Sequence, residues 1–487
     1  MSLSRYRSIV PEWESFLAAV ATPEPVTFRV RPRLLPEERV IARLERQGFA
    51  LAPIRGLSGY WRVMDGPDSV AQTPEHWSGL LHVQQAVMAL PSLALAPRPG
   101  EAILDLCAAP GGKTTHIAEL MADRGPLVAV DPKEKRLRGL LGNLYRLGHP
   151  NVIVVAADGR ALPTSATFDR VLVDAPCSAE GNLRRQAGRG AGRDAGFVDY
   201  VTSVQEALLR RAIELTRPGG VLVYSTCTFA PEENEAVVTR VLADSPIAVE
   251  PIQLEAPHSP GLSGWDGELF DPSLREAWRI YPHQMDSGGL FMVRLRKLGA
   301  GTSAVVGWTP PPPVFPGGDE EDGSVRLRSA QDELVHRFGL GHREVEEMGW
   351  MVRGENIWAH TAERWPFPAW SAQSPGGRWR VVSMGIRSLR ERPPGRETPS
   401  SHFLARWGRH MAPDRQVHLD PTSLGRLLRN ERLPAEGRSA GPVALLWEDL
   451  VLGRGMIGTG GLRHEIPKAS AERLLTVLER LGSRMPD

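Results

Sequence analysis

Three cysteines, each set in a short loop after a run of apolar residues, have the type and placement in this chain best suited to chemistry. Cys177 lies in Asp174-Ala175-Pro176-Cys177-Ser178 and Cys227 in Tyr224-Ser225-Thr226-Cys227-Thr228. Cys107 opens the glycine-rich segment Cys107-Ala108-Ala109-Pro110-Gly111-Gly112-Lys113. A thiolate is a strong nucleophile, so two thiols at strand ends point to covalent chemistry. Three cysteines are too few, and odd in number, for a disulfide framework. Taken singly, each could also be a small buried hydrophobe.

The acids repeat the pattern: Asp105, Asp131, Asp158 and Asp174 each follow an apolar run. One such acid is an ordinary turn or N-cap residue. Four in succession are expected at the carboxyl edge of an open parallel sheet, where loops and helix N-termini converge on a ligand. The segment ending Gly112-Lys113-Thr114 lacks the first glycine of a triphosphate-binding loop, because position 107 is cysteine, and it carries no G-x-G-x-x-G. What remains is a tight glycine turn opening a helix, Thr114–Met121, with backbone N–H groups suited to a carboxylate. Asp131 has the place of a ribose-hydroxyl acceptor.

Such residues need a sheet to carry them. The runs Ile103-Leu104, Leu127–Val130, Val152–Val155, Val171–Val173 and Val221–Tyr224 have no polar alternation, as strands buried on both faces should. Between them, Leu137, Leu140, Leu141, Leu144 and Leu147 stripe one helix face. The fold class is α/β, a doubly wound Rossmann-like sheet over residues 71–298. A small α+β module is expected at 1–70, with a strand at Val26–Val30 and a helix from Pro36 to Gly48. A Pro/Gly/acidic linker is expected at 299–325, a tryptophan-bearing domain at 326–395, a weak joint at Glu391–Arg396, and a β-rich domain at 396–487.

Composition narrows the class. The 487 residues are 41% hydrophobic and 24% charged with a net charge of +1, ordinary for a globular protein and no signature of a polyanion binder. Only five of the 58 basic residues are lysine. An arginine bias suits phosphate contact, although a bias spread over the whole chain follows equally from base composition. The amino end has neither an apolar signal segment nor a myristoylation glycine, and no apolar run reaches bilayer length. A cytoplasmic protein with reduced thiols and no membrane attachment is expected.

The ordered motifs Leu104–Thr114, Asp158-Gly159, Val173–Ser178, Gly181, Val223–Thr228 and Pro231-Glu232-Glu233-Asn234-Glu235 resemble those of the S-adenosylmethionine-dependent RNA cytosine-carbon-5 methyltransferases of the Sun/nucleolar-protein type. Arg279, Pro282-His283 and Gly289–Lys297 resemble the end of that family's catalytic domain. The likeness is strongest over residues 70–297. The C-terminal length and the Gly453–Pro467 pattern resemble bacterial small-subunit rRNA members with a PUA-like RNA-binding tail.

The resemblance implies S-adenosylmethionine as cofactor, with Cys107, Ala108, Ala109, Pro110, Gly111, Gly112 and Lys113 around its methionine end. It implies Asp131 at the ribose hydroxyls with Arg136 alongside, Asp158 on the adenine side, and Asp174 between cofactor and target base. Cys227 would attack carbon 6 of cytosine and Cys177 would release the product. Attack by Cys177 alone, as in DNA cytosine enzymes, is the alternative. The helix start at Pro231 is expected to lower the Cys227 pKa if its N-terminus points there. The implied partner is 16S rRNA, free or within the small ribosomal subunit, acted on by a monomer. The competing readings are a tRNA cytosine-5 methyltransferase and a non-catalytic RNA-binding assembly factor.

RNA contacts are expected from the basic insert Leu183–Arg193, unless it is merely a solvated loop. Trp350, Trp358, Trp365, Trp370 and Trp379 are either core or base-stacking residues. Three departures from the family pattern stand out: Ser178-Ala179-Glu180-Gly181 in place of Ser-Gly-Glu-Gly, His82-Val83-Gln84 in place of aromatic-x-Gln, and Arg463-His464 in place of a terminal Lys-Asn.

Overall fold

The unalternated apolar runs pair as parallel strands: β1 (Ile103–Asp105), β2 (Leu127–Asp131), β3 (Val152–Ala157), β4 (Phe168–Asp174) and β5 (Thr216–Thr226). In this computed structural model, residues 3–185, 195–299, 304–315, 318–365, 379–390, 397–435 and 437–482 are described. The helices that bear on the site are α1 (Gly112–Leu120), α2 (Glu134–Leu147), α3 (Ala195–Leu215) and α4 (Glu235–Leu242). Strands β6 (Ile247–Glu250), β7 (Ser259–Pro260), β8 (Trp278–Ile280), β9 (Leu290–Lys297) and β10 (Trp379–Met384) complete a ten-stranded sheet. Its order is β7-β8-β9-β5-β4-β1-β2-β3-β10, with β6 also paired to β9.

Alternate residues of the inner strands feed two cores. Leu104, Val128, Val130, Ile153 and Val155 face one core, with Leu209 and Ala212 of α3 and Val237 and Val241 of α4. Ile103, Leu127, Ala129, Val152 and Val154 face the other, with Ile117 of α1 and Leu137, Leu140 and Leu144 of α2. Burying each such aliphatic side chain contributes about 1.5–3 kcal/mol, so both faces hold the sheet rigidly under its loops. Strand order reverses between β1 and β4, which opens the crevice where ligands of such sheets bind.

The surrounding modules are more interlocked than expected. The N-terminal strand Thr27–Val30 and helix Glu37–Arg46 form as read. Phe28, Val40 and Leu44 share one core with Leu424, Leu445 and Leu474 from the far end of the chain. There the strands Gln416–His418, Gly441–Trp447, Leu450–Gly458 and Gly461–His464 make a four-stranded sheet. β10, from the stretch read as a separate domain, pairs antiparallel with β3. It covers an edge that would otherwise expose unpaired backbone groups.

The described part of the expected linker is docked. Trp308 packs edge-on against Phe168 and donates its indole N–H to the Thr167 carbonyl at 2.8 Å, and Phe315 is buried. The acids at 319–322 open a helix, Glu320–Asp332, capped by Asp319. Trp350, Trp358, Trp365 and Trp379 are core residues, none more than 9% exposed. Trp370, residues 186–193 of the basic insert and the joint at Glu391–Arg396 lie outside the described residues. Among the described residues no helix is long and apolar enough to cross a membrane.

Candidate active site

Strand register brings the two strand-end cysteines together. β4 and β5 pair in parallel with Asp174 opposite Ser225, so the loops that follow leave the sheet side by side. Ala175 N–H donates to the Ser225 carbonyl at 2.9 Å, and Gly181 N–H donates to the Cys227 carbonyl at 2.7 Å. The outcome is a Cys177 Sγ to Cys227 Sγ separation of 3.4 Å. Gly181 lets the loops close: a Cβ there would stand 2.5 Å from the Gly289 carbonyl oxygen and 2.9 Å from that of Cys227.

Glu233 pins the Cys177 loop from below. Its Oε2 accepts from the Ser178 N–H at 2.9 Å and from Gln205 Nε2 at 3.0 Å, and Gln205 also donates to the Pro176 carbonyl at 2.8 Å. Glu180 accepts from the Thr228 hydroxyl at 3.0 Å and from Tyr6 of the N-terminal segment at 2.8 Å. The Glu235–Arg279 ion pair, fully buried, holds the base of the Cys227 loop, where Arg279 Nη1 donates to the Phe229 carbonyl at 2.9 Å. Ala179 sits at φ 60°, ψ 30°, a left-handed conformation that favours the glycine it replaces.

The thiols are displaced in opposite directions. A hydrogen bond to Cys227, then burial, pushes the Cys177 thiol well above its ordinary range. Donation from Cys177 lowers Cys227 despite burial and the nearby Asp174, helped by Lys113 and by Asn182. Of the two, Cys227 is thus the thiol whose ionised form the surroundings favour, and Cys177 the one they hold protonated. Burial, with Asp105, Asp174 and Asp131 around it, holds the Cys107 thiol well above its ordinary range, so it stays protonated.

Beside the thiols, Asp174 Oδ2 accepts from Lys113 Nζ at 2.8 Å and its Oδ1 from Ser225 Oγ at 2.9 Å. Burial opposes the Lys113 charge, but Asp174 outweighs it and raises the pKa, so the ammonium persists. Spacing alone gave no sign that Lys113 would reach across from α1 to the end of β4.

The other strand-end acids line the same edge. Asp105 is 1% exposed; its Oδ2 accepts from Thr114 Oγ1 at 2.7 Å, and its Oδ1 has no hydrogen-bond partner among the described residues. Burial pushes its pKa up to about 7. Asp131, fully buried, accepts from Lys133 N–H at 3.0 Å and pairs with Arg136 at 3.0 Å. Arg136 also bonds the Ala109 carbonyl, tying the end of β2 to the glycine loop. Gly111 turns that loop at φ 101°, and no side chain caps α1 behind it. A buried, unpartnered carboxylate oxygen and an uncapped helix start fit a ligand carrying both amino and carboxylate groups, as the methionine end of S-adenosylmethionine does. Asp158 differs in having a charged partner near it in the chain. It caps the turn Gly159–Ala161, its carboxylate is bound to Arg160, and those bonds lower its pKa.

Two residues near the thiols were not singled out from the sequence. Asn182 Nδ2 donates to Cys227 Sγ at 3.3 Å, and Gln85 Nε2 lies 3.4 Å from Asn182 Oδ1. Asn182 directly follows Gly181, which offered a local hint; nothing in the spacing brings Gln85 there. The neighbouring His82 and Gln84 lie against Gly112 of the glycine loop.

Comparison with known proteins identifies relatives of the chain. The family described as 16S rRNA methyltransferase RsmB/F matches residues 92–296. The chain is 32% identical over 396 residues to Ribosomal RNA small subunit methyltransferase F of Vibrio atlanticus, covering 79% of each protein. It is 34% identical over 297 residues to the tRNA (cytosine(49)-C(5))-methyltransferase of Pyrococcus abyssi, covering 61% of this chain and 95% of that protein. A crystal structure of a methyltransferase homolog protein from Pyrococcus horikoshii superposes with a TM-score of 0.55 at 33% identity, over 61% of this chain and 94% of that one. Of the longer mouse and human 28S rRNA methyltransferases that it also matches, the chain spans only 38% and 36%. With a match that reaches across most of the Vibrio protein, the chain belongs to the 16S rRNA methyltransferase RsmB/F family.

Proposed function

We propose that this protein transfers the methyl group of S-adenosylmethionine to carbon 5 of a cytosine in RNA, with small-subunit rRNA as substrate. The observation that carries this reading is the thiol pair 3.4 Å apart, Cys227 favoured as thiolate and Cys177 as thiol, beside the Lys113–Asp174 pair. Carbon 5 of cytosine is a weak nucleophile. Addition of the Cys227 thiolate to carbon 6 forms an S–C bond and makes the ring an enamine at carbon 5, which is covalent nucleophilic catalysis. The bound cofactor supplies an electrophilic methyl group.

Asp174, oriented by Lys113 and Ser225, hydrogen-bonds the ring nitrogen or amino edge of the base and favours the charge that the ring takes up. Once Cys227 is bound to carbon 6, Cys177 passes its own proton to water; as a thiolate it then takes the carbon-5 proton, the carbon-5–carbon-6 double bond re-forms, and the S–C electron pair returns to Cys227. Residues Cys107–Lys113 hold the methionine end of the cofactor, Asp131 the ribose with Arg136 behind it, and Asp158 the adenine side. The target base has to leave its stack to reach this crevice. The C-terminal sheet, as a PUA-like unit, would hold the surrounding RNA. Arg463 on it is about half exposed and pairs with Glu465.

A tRNA substrate is the second reading, favoured by the nearly full-length match to the Pyrococcus abyssi enzyme. Incubation with methyl-labelled cofactor and small subunits, free 16S rRNA or tRNA separates the two. Label in 16S rRNA is expected, label in tRNA alone would move the substrate to the second reading, and no label on any RNA despite cofactor binding would overturn the enzymatic one. Cys177→Ala should accumulate a covalent RNA adduct, and Cys227→Ala should abolish both adduct and methylation. An adduct in Cys227→Ala would reverse the thiol roles.

A further inference from the structure

We propose that Asn182 is a positioning residue that aims Cys227 and stabilises it as the thiolate, and that Gln85 sets the direction of the Asn182 amide. The proposal rests on the reading of Cys227 as nucleophile. Among the described residues, Cys227 Sγ has two hydrogen-bond partners, Cys177 Sγ at 3.4 Å and Asn182 Nδ2 at 3.3 Å. Asn182 is the only one of them that does not itself titrate.

The direction of the amide follows from chemistry. Glu24 pairs with the Arg185 guanidinium at 2.8 Å and, as a carboxylate, can only accept. Gln85, itself 6% exposed, must therefore turn its NH2 toward Glu24 Oε2, at 2.7 Å. That same NH2 lies 3.4 Å from Asn182 Oδ1, which has to accept. The Asn182 NH2 is left facing the sulfur. Glu24 is anchored further by Ser287 Oγ, at 3.1 Å from Oε1. The orientation is thus relayed from a loop of the N-terminal module, through two amides, to the sulfur.

This matters because Cys177 cannot serve Cys227 throughout the proposed cycle. It donates to the thiolate before attack, gives up that proton to water once Cys227 is bound to carbon 6, and is then needed as the acceptor of the carbon-5 proton during release. When the S–C bond breaks, its electron pair returns to Cys227, and the Asn182 N–H is in place to receive that charge without a proton transfer. The other charged or titratable groups facing Cys227 are Lys113, which favours the thiolate, and Asp174, which opposes it. Neither is altered by a change at Asn182.

The test is the pH dependence of Cys227 alkylation by iodoacetamide, read by peptide mass spectrometry on the full-length protein without RNA or cofactor. Asn182→Ala should move the midpoint up by about one pH unit, since a hydrogen bond to a charged group is worth about that much, and slow alkylation at neutral pH about tenfold. The isosteric Asn182→Asp, which loses the donor, should move it at least as far, and Gln85→Leu part of the way by freeing the amide. In methyl transfer, Asn182→Ala should lower kcat and leave the KM for RNA unchanged. An unmoved midpoint in a folded Asn182→Ala or Asn182→Asp protein overturns the proposal. If the midpoint moves but Cys227→Ala still methylates RNA, the nucleophile assignment fails instead.

Discussion

Gly181→Ala probes the junction that sets the thiol spacing. The new Cβ would lie 2.5 Å from the Gly289 carbonyl oxygen and 2.9 Å from the Cys227 carbonyl oxygen, where ordinary contact begins at 3.4 Å. Both atoms are backbone, so no side chain can swing aside, and the loops must part by about 1 Å, a displacement that costs on the order of 100-fold in rate when reacting groups are involved. The 2.7 Å bond from Gly181 N–H to the Cys227 carbonyl stretches with it. Overpacking contributes about 1–3 kcal/mol of destabilisation, and the weakened hydrogen bond adds about 1 kcal/mol. Gly181 does not have a positive φ, so alanine is sterically rather than conformationally excluded. Single-turnover methyl transfer and thermal unfolding, measured side by side, separate the two effects. Gly142→Ala is the control: its Cβ meets nothing within 4 Å, and in mid-helix it should stabilise by about 0.5–1 kcal/mol. Native rates of adduct formation and methylation in a folded Gly181→Ala protein would show that this junction does not govern the thiols.

Two further perturbations bear on the same edge of the sheet. Asp105 has a folded pKa of about 7, above its ordinary 3.8, because the acid is buried; its stability contribution is full below about pH 4 and is lost as pH rises through 7. Denaturant titrations of the cofactor-free protein at pH 5 and pH 8 should show that loss, with a ceiling of roughly 3 kcal/mol over the two pH units between 5 and 7, and Asp105→Asn should flatten it; an equal pH slope in both proteins would contradict the assignment. Ala179→Gly, by relieving the left-handed alanine, should raise stability by up to about 1 kcal/mol and preserve the methylation rate, measurable by chemical denaturation and initial rates.

The central fold was legible because its signals are local. A strand buried on both faces must be apolar at every position, so β1 to β5 announce themselves as unbroken runs, and a helix lying on such a sheet must carry a stripe like Leu137, Leu140 and Leu144. The acids at strand ends were legible for the same reason, since a strand end is a place along the chain. Asp158 shows the limit: its place matches the other three acids, yet its carboxylate is engaged by Arg160, a neighbour that any exposed turn could supply. The tryptophans were ambiguous because an indole serves equally well in a core or against a base; only burial decides.

The sequence by itself determined the doubly wound sheet, the motif order and the positions of three thiols and four acids. Only the tertiary structure decided that Cys177 and Cys227 touch, that this contact shifts their thiols in opposite directions, that Lys113 reaches Asp174, and that Glu24 and Gln85 stand behind Asn182. The physical reason is that a run or a stripe is written in consecutive residues. A hydrogen bond between residues 50 or 100 positions apart depends on strand register and loop closure, and no spacing along the chain encodes those.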